Sequence, residues 1–140
     1  MMAADETGGA ASTGAEDAAG LSGRTILLVE DEALIAMDLE MTLEDAGAEV
    51  VGPVTSLEDA VAQAGTGAFD AAILDIDLRG EDVFPAAEAL QGRGVPFVFH
   101  SGHGARAELL ARFPDAGLIE KPASPEAVVA ALTDVLKPRP

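Results

Sequence analysis

No cysteine occurs among the 140 residues, so disulfides and thiolate metal sites are excluded. Basic residues are scarce: 8 Lys and Arg stand against 25 Asp and Glu, a formal charge of -17. That balance argues against non-specific nucleic-acid binding, which needs clustered cations to neutralise phosphates. It equally disfavours an anionic membrane surface. No apolar run approaches the length a bilayer-spanning helix requires. The first 23 residues carry Asp5, Glu6, Glu16 and Asp17 but no base, and lack the positive start and apolar core of a signal peptide. Their Ala, Gly, Ser and Thr content predicts a disordered leader over 1–23. A cytoplasmic protein is the expectation.

What is present is enough apolar content, 49%, for a real core in one domain over 24–140. The sequence centres on Ala71-Ala72-Ile73-Leu74-Asp75-Ile76-Asp77, an unbroken apolar run that ends in acid. Such a run predicts a strand buried on both faces of a parallel sheet. A buried carboxylate is costly unless it is paired, hydrogen-bonded or beside a metal. The carboxyl end of the strand, where open α/β sheets gather ligands, is therefore the place for Asp75.

The rest of the chain alternates strand and helix around this element. Thr25–Val29 is a buried strand stopped by Glu30-Asp31-Glu32, and a helix is expected from Ala33 to Ala46, closed by Gly47. A second strand covers Glu49–Val54, with Pro53 breaking its far end. Ser56 is the N-cap of a helix to Ala64. A third helix is expected from Pro85 to Gln91 and a fourth strand over Pro96–His100. Arg106–Arg112 is a helix and Gly117–Glu120 a fifth strand. The last helix has Ser124 as N-cap and Pro125 at its first position. Its residues Val128, Val129, Leu132, Val135 and Leu136 share one helical face. Five strands alternating with five helices predict a doubly wound α/β fold.

Parallel strands bring their carboxyl ends to one edge, so Glu30-Asp31, Asp75 with Asp77, Ser101 and Lys121 should converge. Carboxylates about 5 Å apart at an effective dielectric of about 20 repel by roughly 3 kcal/mol per pair. A hard, oxygen-seeking cation relieves this, and Mg2+ suits one or two carboxylates plus a phosphate. A lysine and a hydroxyl opposite supply the charge neutralisation and hydrogen bonding that a phosphoryl group needs.

Glu30-Asp31 after strand one, Asp75 after strand three, Ser101-Gly102 after strand four and Lys121-Pro122 after strand five resemble the receiver domain of two-component response regulators. The likeness runs from Thr25 to Leu136. It implies a flavodoxin-like strand order, 2-1-3-4-5. It further implies that Asp75 is the phosphoacceptor and that Asp31 and Asp75 ligate Mg2+ through their side chains. Asp77 would contribute its backbone carbonyl, and Glu30 would hold the metal through water. Ser101 would hydrogen-bond the arrived phosphoryl group, and Lys121 would pair with one of its oxygens. A sensor histidine kinase would donate the phosphoryl group, and an unnamed downstream protein would read the result. The implied role is that of a phosphoacceptor assisting its own phosphorylation and dephosphorylation, not an enzyme acting on other substrates.

Receivers commonly carry Tyr or Phe three residues before the lysine, where this chain has Leu118. The stretch Pro96-Phe97-Val98-Phe99-His100-Ser101-Gly102-His103-Gly104 resembles the Pro-Phe-x-Phe-x-Thr-Gly-Tyr-Gly signature of a stand-alone subgroup, whose members work with kinases of the HWE or related class. Switching is thereby expected to involve Phe99, Gly102, His103 and Leu118. On the first helix, Leu34, Met37 and Met41 form a second apolar stripe, away from Ile35, Leu39, Leu43 and Ala46. That stripe is the candidate kinase contact, as first helices of receivers are.

Two alternatives stand beside this reading. Asp75-Ile76-Asp77 is an Asp-x-Asp at a strand end, as in Asp-nucleophile phosphatases of the haloacid dehalogenase type, although acids expected on later strands lie before Asp75 here. A pseudo-receiver, binding partners without phosphorylation, is the other. His100 and His103 could suggest zinc, but no further ligand stands near them in sequence.

Overall fold

We describe residues 20–102 and 106–138 of the chain from a computed structural model. In chain order the elements are β1 (Thr25–Val29), α1 (Ala33–Asp45), β2 (Glu49–Val54), α2 (Leu57–Thr66), β3 (Ala71–Asp75), β4 (Asp77–Leu78), β5 (Glu81–Asp82), α3 (Phe84–Gly92), β6 (Phe97–Ser101), α4 (Arg106–Arg112), β7 (Gly117–Glu120) and α5 (Pro125–Leu136). Five of the strands form one parallel sheet in the order β2-β1-β3-β6-β7. Counting only those five, this is the expected flavodoxin-like arrangement, with the acid-ending strand β3 at its centre.

The period-two alternation of each strand sorts the core into two layers. Ile26, Leu28, Ala71, Ile73, Val98 and Ile119 pack against α1 and α5 through Leu39, Leu43, Val128 and Leu132. Leu27, Val29, Ala72, Leu74, Phe97 and Phe99 face α2, α3 and α4 through Ala60, Ala64, Ala86, Leu90 and Leu109. All five phenylalanines lie in or against the second layer, and Phe84, Phe97, Phe99 and Phe113 are linked by edge or tilted ring contacts. Both expected serine caps form: Ser56 Oγ accepts from the Asp59 N–H at 3.2 Å and Ser124 Oγ from the Ala127 N–H at 3.1 Å. Among the described residues no helix is long and apolar enough to cross a membrane.

Several details differ from the expectation, among them β6, which spans Phe97–Ser101 and so takes in Ser101 from the expected loop. A two-stranded antiparallel ribbon, β4 with β5, follows β3, turning at Arg79 and Gly80, which have φ of 55° and 86°. Two-residue strands are too short to leave a periodic signature, although Arg-Gly is turn chemistry. Helix α3 begins at Phe84, one residue before Pro85, where Asp82 Oδ1 accepts the Phe84 N–H. Helix α2 runs on to Thr66, past Ala64. Pro53 interrupts the ladder as expected without ending the strand: pairing with β1 jumps from Leu27–Val51 to Val29–Val54 across Gly52-Pro53, and β2 is an edge strand, where such a break is tolerated.

Residues 1–19 of the expected leader lie outside the described residues, but its last part belongs to the fold. Leu21 is fully buried in the α1/α5 layer, and its N–H donates to the Ala46 carbonyl at 2.9 Å. Gly47, with φ of 95°, makes room for this segment: a Cβ there would lie 2.9 Å from Ser22 Cα. Leu21→Ala is therefore expected to cost about 2–4 kcal/mol of stability. Urea unfolding monitored by circular dichroism measures it, and an unchanged midpoint would mean that the domain does not use Leu21.

Candidate functional site

The alternation that builds the core also sets the chemistry. Glu30 continues the set Ile26, Leu28; Asp75 continues Ala71, Ile73; His100 follows Val98; and Lys121 follows Ile119. All four therefore leave the sheet's carboxyl edge on the α1/α5 side. The ladder extends past the formal strand ends to hold them, with Glu30 N–H donating to Val54 O at 2.9 Å and Lys121 N–H to Ser101 O at 2.7 Å.

Of the groups expected to meet at Asp75, Glu30, Asp31 and Lys121 do so, whereas the side chains of Asp77 and Ser101 are engaged elsewhere. Lys121 Nζ donates to Asp75 Oδ1 at 3.1 Å and lies 3.8 Å from Glu30 Oε1. Carboxylate oxygens of Glu30, Asp31 and Asp75 lie within 4.8 Å of one another. Asp31 Oδ2 accepts the Arg79 N–H at 2.9 Å, so the β4–β5 turn fixes one acid of the group. Asp77 turns its carboxylate away into that turn, accepting the Gly80 N–H at 3.0 Å, while its own N–H donates to Asp75 Oδ1 at 3.3 Å. Glu30 Oε2 accepts the Glu32 N–H at 3.2 Å. The ribbon's part in this has no signature in the sequence, since the contact to Asp31 is made by backbone.

Ser101 ends β6, buried, with its hydroxyl donating to the Gly102 carbonyl at 3.0 Å. It follows Phe97 and Phe99 in the alternation, so it leaves the sheet on the face opposite His100. Leu118 pairs with Phe99 in register and packs into the phenylalanine layer. The layer's aromatic surface comes from Phe84, Phe97 and Phe113 instead. His103 lies outside the described residues, so the zinc pairing with His100 has one member undescribed. His100 itself sits beside Glu30, Nδ1 to Oε1 3.9 Å, and not in the three-acid group.

The electrostatics follow from two buried acids sharing one ammonium. Burial, then the Glu30 charge, pushes Asp75 from 3.8 up to about 6, against the pull of Lys121. Burial also works to raise Glu30, but contacts from His100, Asp75, the Glu32 N–H and Lys121 outweigh it and hold Glu30 below the ordinary range. Burial lowers Lys121, and its hydrogen bond to Asp75 and the acids around it more than reverse this. Glu30 and Lys121 thus stay charged, and Asp75 carries the strain of the site.

These residues fit a divalent cation. The donor set is three carboxylates with no sulfur, and Glu30 Oε1 is buried without a hydrogen-bond partner among the described residues. Hard oxygen donors in that number suit Mg2+.

Comparison with known proteins agrees with this geometry. Residues 26–133 match the family model of the response regulator receiver domain. The chain belongs to the response regulator receiver family. Receivers are signalling modules, and the relatives are regulators. The transcriptional regulatory protein PdtaR of Mycobacterium tuberculosis is 36% identical over 95 residues, covering 67% of this chain and 46% of PdtaR. The phyllosphere-induced regulator PhyR of Methylorubrum extorquens is 36% identical over 114 residues, covering 79% of this chain and 43% of PhyR. The chain thus spans less than half the length of either curated relative. The solution structure of SdrG from Sphingomonas melonis Fr1 superposes with a TM-score of 0.70 at 44% identity, over 81% of this chain and 97% of SdrG. A BeF3-activated conformation of SdrG, from Pseudomonas melonis Fr1, superposes at 0.66 over 81% of this chain and 96% of that one. The family match leaves the haloacid dehalogenase alternative without support.

Proposed function

We propose that this receiver accepts a phosphoryl group on Asp75 from a phosphohistidine of a sensor histidine kinase and signals through protein contacts. The observation that carries the reading is the meeting of Asp75, Glu30, Asp31 and Lys121 at one sheet edge. The Asp75 carboxylate attacks phosphorus, an O–P bond forms as the P–N bond breaks, and the kinase imidazole leaves with the bond pair. The product is a mixed anhydride that water later hydrolyses. Asp31 and Asp75 would hold Mg2+ through their side chains, Asp77 through its backbone carbonyl and Glu30 through water. Bound Mg2+ would supply charge neutralisation for the phosphoryl oxygens. Lys121 moves from its bond with Asp75 to a phosphoryl oxygen, and Ser101 turns its hydroxyl from Gly102 towards another. Catalysis is then positioning and electrostatics, as phosphoryl transfer requires. The BeF3-activated form of SdrG supports this, because beryllofluoride has the shape and charge of a phosphoryl group.

Incubation with Mg2+ and a small acyl phosphate tests the reading. One base-labile phosphoryl group per chain is expected; its absence would favour the unphosphorylated pseudo-receiver, and continuous phosphate release a phosphatase.

The kinase contact we assign to α1. Leu34, Met37 and Met41 are 77%, 57% and 58% exposed, the most exposed large apolar side chains described. Met41 also lines a groove between α1 and α5 with Pro125, Val129 and Ala130, rimmed by Asp38, Asp45, Glu126 and Asp134. Flexible Met side chains beside acids suit helices that present apolar and basic residues. Met37→Glu with Met41→Glu is expected to weaken kinase binding at least about tenfold, since interface anchors are worth about 1–2 kcal/mol each. Labelling by the small acyl phosphate should be unchanged. Unaltered kinase transfer in the double variant would remove α1 from the interface.

A further inference from the structure

His100 is 4% exposed, and neither ring nitrogen has a hydrogen-bond partner among the described residues. Its strand-mates on the same face, Val98 and its β3 neighbour Ile73, are apolar, and the register pairs His100 with Asp75 itself. For stability alone an aliphatic side chain would serve better there, since a buried imidazole without partners is unfavourable. Its Nδ1 lies 3.9 Å from Glu30 Oε1, the buried carboxylate oxygen that also lacks a hydrogen bond among the described residues. The other Glu30 oxygen is anchored by the Glu32 N–H. With one oxygen anchored, the carboxylate keeps freedom to rotate about that bond. A rotation closing the gap by about 1 Å brings Nδ1–H to hydrogen-bond length.

We infer that His100 is a positioning residue that fixes the Glu30 carboxylate through Nδ1–H, in the orientation from which Glu30 serves the divalent cation. This rests on the cation reading of the site given above. An imidazole N–H can orient Glu30 from beneath without taking the cation's place. Outer-shell donors of this kind set ligand orientation in metal sites generally. Of the three acids His100 approaches Glu30, at 3.9 Å, and it acts through that carboxylate.

The experiment compares Mg2+ binding to wild-type, His100→Leu and His100→Asn chains by isothermal titration calorimetry, with thermal melts of the metal-free proteins. The chain has no Trp or Tyr, so intrinsic fluorescence is not the readout. His100→Leu is expected to weaken Mg2+ binding roughly tenfold while the metal-free protein melts no lower. His100→Asn places an amide N–H where Nδ1–H stood and should recover affinity to within about threefold of wild type. Long-range proton–nitrogen spectra of the wild-type chain should show His100 protonated at Nδ1, which tests the contact even if His100→Leu does not fold. Equal Mg2+ binding by wild type and His100→Leu overturns the positioning role and leaves the cation site standing. An imidazole protonated only at Nε2 overturns it as well. A wild-type chain that binds no Mg2+ overturns the cation reading and this inference together.

Discussion

Asp75→Ala should bring phosphoryl uptake from both a small acyl phosphate and a phosphorylated kinase down to background. No neighbouring acid is placed to substitute. Glu30 is fully buried with one oxygen committed to the Glu32 N–H, and Asp31 is held by the Arg79 N–H from the ribbon side. Neither has Lys121 within direct hydrogen-bonding distance, whereas Asp75 does, at 3.1 Å. Base-labile label persisting in Asp75→Ala would put the acceptor elsewhere.

The same residue should govern how stability depends on pH. The folded chain holds Asp75 at about 6 against an ordinary 3.8, chiefly because it is buried beside the Glu30 charge. Between those values the unfolded chain has lost this proton and the folded chain retains it, so metal-free stability falls as pH rises through the window. Above about pH 6 the whole penalty is present, on the order of 3 kcal/mol at 1.36 kcal/mol per pH unit. Asp75→Asn removes the charge while keeping the shape. It should raise metal-free stability at pH 7.5 by about 1–3 kcal/mol and flatten the pH 4–6 dependence. Mg2+ should stabilise wild type but leave the Asn variant nearly unchanged. Urea unfolding across pH, with and without Mg2+, reads all three.

The two variants separate chemistry from packing, and the distinction shows what the sequence could reveal. Strand runs such as Ala71–Asp75 and Phe97–Ser101 are buried on both faces, so their apolar continuity marked them. Placing their ends at one edge followed from parallel topology, and this brought Glu30, Asp31, Asp75 and Lys121 together. The β4–β5 ribbon escaped because its grip on Asp31 is a backbone N–H, which no residue type announces. Leu21 escaped because a single apolar residue in an Ala- and Gly-rich stretch has no period to detect. His100 was visible as a residue but not as a neighbour of Glu30. Strand parity supplies that: two residues past a core position on the α1/α5 face, as Glu30 is after Leu28 and His100 after Val98, point the same way.

Lys121→Met carries the second large effect, because one ammonium serves two buried acids. Nζ lies 3.1 Å from Asp75 Oδ1 and 3.8 Å from Glu30 Oε1. Removing one partner of a buried ion pair costs about 3–5 kcal/mol, because the remaining charge is left uncompensated. The Lys121 side chain is 26% exposed, so water replaces part of what is lost. A destabilisation of about 2–3 kcal/mol is expected for the metal-free protein at pH 7.5. Three features distinguish this from lost packing. The cost should shrink at pH 5, where Asp75, freed from the ammonium that lowers its pKa, takes up a proton. Mg2+ should restore most of the stability, because a cation would again face Asp75. Adding Asp75→Asn to Lys121→Met should cost less than the two separate effects predict, with a coupling of about 1–3 kcal/mol for residues in contact. A pH-independent loss with no coupling would instead make the Lys121 stem, and not its charge, the stabilising part.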